Sequence, residues 1–153
     1  MIGIDILNYY PSVKIDFKKI DMAFFYVQKG FGMPAGLGVL IINNKCFEKT
    51  LEMREMNFNI GTYNNFLNAY KYYTLNQNTI TPNVPGIYLL WKVCEYLNGI
   101  GIEKIRKETE EKAALYYNEL KDVTGIEFFV KEEKYRPKTI IVMIVCDKQK
   151  DKK

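Results

Sequence analysis

The stretch FYVQKGFGMPAGLGVLII, residues 25–42, decides how the chain is organised. Two apolar runs, residues 21–27 and 37–43, flank a loop rich in glycine and proline, and such runs are typical of buried strands. A connection of this kind suits a loop that brings backbone close to a ligand. Lys29 lies in this loop. Lysines in the turns and loops of proteins are mostly solvated surface charges. Whether the Lys29 amine takes part in a reaction has to be inferred from residues elsewhere in the sequence.

The first half of the chain predicts strands and one short helix. Residues 2–7, IGIDIL, alternate around Asp5 and predict a third buried-looking strand. Residues 46–53 predict a short helix. Residues 59–83 are rich in tyrosine and asparagine without a clear period, so they predict no regular element.

The second half of the chain predicts two helices and two strands. Asn83 can cap the first helix, and Gly99 ends it. The second helix runs from near Gly101 to a stop at Gly125. The strand candidates are residues 126–130 and 138–145.

The order of these elements predicts an α/β fold class. Strands are followed by helices and then by strands again, which indicates an α/β layer that passes into a second, α+β unit. The composition changes near residues 81–86, so we place the domain boundary between residues 1–88 and residues 89–153. A complete doubly wound domain needs more strands than this pattern offers.

Composition excludes several kinds of site. Hydrophobic residues make up 48% and charged residues 26% of the 153 residues, which is the balance of a globular protein. The sequence contains no histidine, so Ser-His, Cys-His and His-metal chemistry lack their central group. The three cysteines lie far apart and predict neither a disulfide framework nor a metal site.

Charge and targeting signals are weak. The net charge of +4 includes a basic C-terminal tail, which we interpret as a solvated end rather than a nucleic-acid arm. A basic module that binds nucleic acid through its many aromatic side chains is the least favoured alternative. The sequence has no apolar run of membrane-spanning length and no signal peptide, so we expect a cytoplasmic protein without a membrane partner.

A lysine in such a loop has one common chemical use. It forms a Schiff base with a carbonyl, and the pyridoxal phosphate version also needs a carboxylate against the ring nitrogen and donors for the phosphate. Asp5 is the candidate carboxylate and Gln28 a candidate donor, although Asp5 can equally cap a turn and Gln28 can face solvent. Further candidate donors, which can instead cap the next helix, are Gln77, Asn78, Thr79 and Thr81.

Two segments together resemble a known family. Residues 28–41, QKGFGMPAGLGVLI, resemble the cofactor-lysine segment of class V aminotransferases, most closely the phosphoserine type. In that family an aspartate ends one strand and a Gln-Lys pair ends the next, and Lys29 follows Asp5 by 24 residues as that pattern requires. Residues 76–120 resemble the family's Thr-Pro segment and the two helices that lead into its small C-terminal domain.

The resemblance implies a fold, a cofactor and a role for each residue. The fold would be part of the large-domain sheet of a fold type I pyridoxal-phosphate transferase, followed by the start of the small domain. Lys29 would form the internal aldimine and then shuttle a proton, Asp5 would keep the ring nitrogen protonated, and Gln28 would bind the coenzyme phosphate. Asn78 and Thr79 would reach the phosphate of the neighbouring subunit across a homodimer. No metal is implied.

The resemblance leaves alternatives open. Alanine–glyoxylate-type enzymes share the Gln-Lys pair, whereas cysteine desulfurases carry a histidine before the lysine. Ile6 and Leu7 stand where the family usually has polar residues after the aspartate. The family's subunit is more than twice as long as this chain. We therefore also expect that the chain is an internal piece of a transaminase and is incomplete for catalysis by itself. The alternative is a catalytically silent structural or interaction fragment.

Overall fold

The computed structural model describes residues 1–146, which form two compact units. The first unit contains Met1–Leu7 and Ile15–Val93, and the second contains Asn8–Lys14 together with the chain from Cys94 onward. The division after Val93 falls inside a helix.

A three-stranded sheet forms the centre of the first unit. Its strands are β1 (Gly3–Asp5), β2 (Met22–Tyr26) and β3 (Gly38–Ile42), in the order β1-β2-β3. β1 runs parallel to β2 and pairs Asp5 with Phe24, whereas β3 runs antiparallel to β2. The three strands predicted from the sequence are therefore present.

Only the central strand contributes fully buried side chains. Ala23 and Phe25 of β2 are buried, and Cys46 of the following helix is also buried. The prediction that all three strands are buried is wrong, because Leu40 and Ile41 of β3 are 49% and 38% exposed. The described residues cover these outer strands only in part, so their apolar side chains remain in contact with solvent.

Two helices follow the sheet in the first unit. α1 (Asn44–Glu55) confirms the predicted short helix and extends it at both ends. α2 (Phe66–Thr74) lies in the Tyr/Asn-rich stretch for which no element was predicted. The side chain of Asn65 caps α2 by accepting a hydrogen bond from the backbone N–H of Asn68. The capping asparagine and packing against α1 stabilise this short helix.

The two long helices differ from their predictions at their ends. α3 (Val84–Ile100) continues past Gly99, and it ends at Gly101, whose φ of 94° is incompatible with a helix. α4 (Ile102–Leu120) ends before Gly125, whose φ of 86° instead turns the chain towards the next strand. Both predicted stops are thus displaced, although glycines with positive φ do mark the turns.

A small α+β arrangement forms the second unit. β4 (Ile126–Phe128) pairs antiparallel with β5 (Met143–Val145), so the last strand is shorter than the predicted residues 138–145. Tyr117 of α4 packs edge-on against Phe128, with the ring centroids 5.0 Å apart. The Tyr117 hydroxyl donates a hydrogen bond to the carbonyl of Pro137, and burial raises the pKa of Tyr117.

Candidate active site

The carboxyl ends of β1 and β2 bring three of the predicted site residues to one edge of the sheet. Asp5 is the last residue of β1, and Gln28 and Lys29 follow β2, which ends at Tyr26. Because β1 and β2 are parallel, their carboxyl ends lie at the same edge. Ligands of α/β sheets bind outside this edge, so the topology selects it as the candidate site.

The turn that carries Lys29 is anchored by buried side chains on both sides of it. Val27, Phe31 and Met33 are buried, and the Phe31 ring stacks on Phe25 with centroids 5.0 Å apart. The carbonyl of Lys29 accepts a hydrogen bond from Gly32, and the carbonyl of Val27 accepts one from Met33. The turn therefore has a fixed backbone and presents the Lys29 side chain outward.

Lys29 and its neighbour Gln28 are both exposed to solvent. Within residues 1–146 the Lys29 amine has no ion pair or side-chain hydrogen bond. Although Lys29 lies between two apolar runs of the sequence, the described residues leave its side chain in contact with solvent. The amine is therefore accessible to a carbonyl compound.

Asp5 lies in a tight turn at the end of β1. Its Oδ1 accepts a hydrogen bond of 2.8 Å from the backbone N–H of Leu7, and Ile6 between them is buried. The carboxylate itself is exposed, in contrast to the buried position expected from the strand pattern. No salt bridge to Asp5 is found among residues 1–146, so its second oxygen can accept from a ligand.

A second aspartate, at the opposite end of β2, has a structural role. Asp21 accepts hydrogen bonds of 2.8 Å from the side chain of Asn43 and from the backbone N–H of Ile2. These two hydrogen bonds, that from Asn43 most of all, lower the pKa of Asp21. Both of its oxygens are engaged, so Asp5 is the aspartate that can meet a ligand.

Asn78 and Thr79 lie in the loop after α2, in the same unit. Asn78 is exposed, and the backbone carbonyl of Thr79 accepts a hydrogen bond from the Tyr63 hydroxyl. In the described part of the chain, no hydrogen bond joins either residue to Asp5, Gln28 or Lys29. Their predicted role at a neighbouring subunit's phosphate stays a prediction.

One contact that was not predicted from the sequence supports the candidate site. Asn83, predicted only as a helix cap, does accept a hydrogen bond from the N–H of Gly86. Its amide nitrogen also donates to the carbonyl of Gly36, 3.2 Å away, and so ties the loop that follows Lys29 to the start of α3. Gly36 has a φ of 121°, which favours glycine, and its position in the loop is the only sequence signal for this contact.

The described part of the chain offers neither a metal-binding cluster nor a membrane-spanning helix. Among residues 1–146, no group of three or more His, Cys, Asp or Glu side chains is arranged to hold a metal ion. Over the same residues, every helix is too short or too polar to cross a bilayer.

Solved structures define the class of protein to which this fold and sheet edge correspond. A phosphoserine aminotransferase from Cytophaga hutchinsonii superimposes with a TM-score of 0.86 and 39% identity, over 95% of this chain and 40% of that one. An alanine–glyoxylate aminotransferase from Nostoc sp. superimposes with a TM-score of 0.73 over 95% of this chain and 38% of that one. It is 17% identical, so it supports the fold alone. The fold is that of an aminotransferase, as predicted.

Sequence comparison then identifies the family. Residues 1–151 match the family model described as Aminotransferase class-V, so the chain belongs to the class-V aminotransferase family. A phosphoserine aminotransferase from Desulfotalea psychrophila is 33% identical over 110 residues, which are 71% of this chain. The match spans 28% of that relative's length. The family predicted from the two quoted segments is confirmed.

Proposed function

We propose that this chain forms the lysine-bearing part of a pyridoxal-phosphate-dependent aminotransferase of the phosphoserine type. Its substrates would be phosphoserine and 2-oxoglutarate or a similar acidic pair. The observation that carries the proposal is the carboxyl edge of β1 and β2, where the Asp5 carboxylate and the Lys29 amine follow neighbouring parallel strands. Identity of 39% to the Cytophaga phosphoserine aminotransferase and of 33% to the Desulfotalea one supports the phosphoserine type.

The groups at this edge fit the chemistry of pyridoxal phosphate. The cofactor needs a primary amine for its aldehyde, a carboxylate for its ring nitrogen and donors for its phosphate. Lys29 supplies an amine without an ion pair among residues 1–146, and Asp5 retains an oxygen that accepts no hydrogen bond there. Gln28 supplies an exposed amide donor beside the amine.

Each residue then has a defined task. Bound pyridoxal phosphate supplies an electron sink that stabilises negative charge at the substrate Cα. The Lys29 Nζ would take the proton from the substrate Cα and deliver it to C4′ of the coenzyme in the same half-reaction, and it would move a proton in the reverse direction in the second half-reaction. The Asp5 carboxylate accepts a hydrogen bond from the ring N–H and keeps that nitrogen protonated. The Gln28 amide donates to the phosphate and limits its movement.

The proposal also covers the domains of the chain, its association into a homodimer and its location in the cell. We assign residues 1–88 to the cofactor-binding domain and residues 89–153 to the start of the small domain. Asn78 and Thr79 would contact the phosphate of the neighbouring subunit in a homodimer. Exposed apolar side chains on α3, such as Trp91 at 55% exposure, support association of this kind. We place the activity in cytoplasmic serine biosynthesis.

A half-reaction tests the proposed activity. A complete aminotransferase that contains this chain is mixed with pyridoxal phosphate, and O-phosphoserine or alanine is added while the coenzyme absorbance is followed. We expect O-phosphoserine to react at least about tenfold faster than alanine, and Lys29→Ala to abolish the reaction. Asp5→Asn should slow it by about 100-fold or more, because general acid–base steps contribute on that scale. Equal rates with the two amino acids would refute the phosphoserine assignment.

The exposure of Lys29 favours one alternative, a catalytically silent piece that acts in structure or interaction. This alternative predicts coenzyme uptake without any half-reaction, even with glutamate as donor. A half-reaction that depends on Lys29 would exclude it.

A further inference from the structure

A charged cavity lies within the second unit. Its volume is about 410 Å³, and all of its lining residues belong to Asn8–Lys14 or to the chain after Cys94. The charged lining side chains are Lys14, Glu103, Arg106, Lys107, Glu110 and Lys138. Four cations against two carboxylates leave a net charge of +2 in the lining. The aminotransferase chemistry proposed above uses none of these residues.

The two carboxylates of the cavity are already engaged. Glu103 accepts a hydrogen bond of 2.7 Å from the Nη1 of Arg106, and Glu110 pairs with Lys138. Each carboxylate therefore neutralises one cation of the lining. The excess positive charge belongs to the remaining two lysines.

These two lysines remain available to a ligand. Lys107 lies 3.8 Å from Glu111, with both side chains largely exposed, and such a pair is worth little. Lys14 has no ion pair or side-chain hydrogen bond among residues 1–146. A cavity of this charge attracts anions.

Arg106 supplies the most specific feature of the cavity. Its side chain is 17% exposed, whereas that of Glu103 is 74% exposed. The Nε of Arg106 is buried and has no hydrogen-bond partner in the described part of the chain. A buried N–H without an acceptor costs about 1–3 kcal/mol, so such groups call for a bound water or ion. The planar guanidinium donates best to the oxygens of carboxylate and phosphate groups.

We propose that this cavity binds a small dianion of the phosphate class, either free phosphate or the phosphoryl group of a small molecule. The guanidinium of Arg106 donates hydrogen bonds to the oxygens of the dianion, and Lys14 and Lys107 balance its charge. The salt bridge to Glu110 keeps Lys138 in place. This site is independent of the proposed coenzyme site, because it uses residues of the second unit alone.

Titration calorimetry of the complete chain with inorganic phosphate tests the proposal. Arg106→Gln should weaken binding by about tenfold or more, since a charge-assisted hydrogen bond is worth about 1.5–3 kcal/mol. Lys104→Gln is the matched control, because Lys104 lies on the same helix and does not line the cavity. It should change the affinity by less than about twofold, since exposed charges contribute little.

A gain in affinity provides the sharper test, because a folding defect cannot imitate it. Glu103→Gln removes a carboxylate that competes with the anion for Arg106, at an exposed position. We expect phosphate to bind about threefold more tightly, as unit charges a few ångströms apart in water interact by under about 1 kcal/mol. Sulfate should compete with phosphate, and chloride at equal ionic strength should not.

Three results would overturn the proposal. The first is the absence of phosphate binding at low ionic strength. The second is unchanged affinity in both Arg106→Gln and Glu103→Gln. The third is loss of binding in Gln28→Ala but not in Arg106→Gln, which would assign the anion to the edge of the first unit instead.

Discussion

The Asn83 side chain makes two hydrogen bonds that can be separated by mutation. Its Oδ1 accepts from the N–H of Gly86 at 3.0 Å and its Nδ2 donates to the carbonyl of Gly36 at 3.2 Å. Loss of an N-cap costs about 1 kcal/mol, and loss of an exposed hydrogen bond costs about 0.5–1 kcal/mol. Asn83→Ala removes both, so we expect the free energy of unfolding to fall by about 1.5–2 kcal/mol.

Asn83→Asp is the matched variant. A carboxylate keeps the acceptor for Gly86 but cannot donate to Gly36, so this variant should lose about 1 kcal/mol or less. Urea unfolding followed by the fluorescence of Trp91, the one tryptophan of the chain and a residue of α3, measures both changes. With a urea slope of about 1–3 kcal/mol per molar, Asn83→Ala should lower the midpoint by about 0.5–2 M.

The two variants also discriminate between explanations. If Asn83→Ala unfolds at the wild-type midpoint, neither hydrogen bond stabilises the fold and the reasoning is refuted. If Asn83→Asp is as unstable as Asn83→Ala, the contact to Gly36 dominates and the cap contributes nothing.

Three further predictions follow from packing and titration. Phe31→Ala should destabilise the chain by about 3 kcal/mol, and Phe31→Leu by less, because the ring is buried against Phe25; urea midpoints compare them. The folded-state pKa of Asp21 is held below its ordinary 3.8, chiefly by Asn43, so this stabilisation is present above that pH and is lost as the pH falls through the folded value. Asn43→Ala should therefore reduce the loss of unfolding free energy as the pH falls. Unfolding curves between pH 5 and about 2 would reveal this change. An unchanged dependence of the free energy of unfolding on pH would contradict the prediction. In an absorbance titration, Tyr117→Phe should remove a tyrosine that ionises at higher pH than the exposed ones, since burial raises its pKa.

The strands, and the candidate site residues at their ends, could be predicted from the sequence. Apolar runs and a Gly/Pro-rich loop around Lys29 indicated two neighbouring strands, and the 24-residue separation from Asp5 matched a family pattern. These signals are local in sequence, and parallel pairing then brings the strand ends to one edge. Asp5, Gln28 and Lys29 therefore share that edge, although their catalytic roles stay predictions.

Features that depend on long-range contacts could not be predicted from the sequence. α2 is 9 residues long, which is shorter than the window over which a helical period can be counted, and it forms through its Asn65 cap and the packing of Phe66 on Phe47. The contact from Asn83 to Gly36 joins residues 47 positions apart, which no local pattern encodes. Exposure of the outer strands was also missed, because an apolar strand has the same sequence whether or not a neighbour covers it.

The most direct test of the central claim is to trap the coenzyme chemically. The chain is incubated with pyridoxal phosphate, reduced with borohydride and digested, and the modified peptide is located by mass spectrometry. Chemical attachment of the coenzyme at Lys29, lost in Lys29→Ala and weakened in Asp5→Asn, is the predicted result. Attachment at other lysines in equal amount, or attachment that is indifferent to Asp5, would contradict the account.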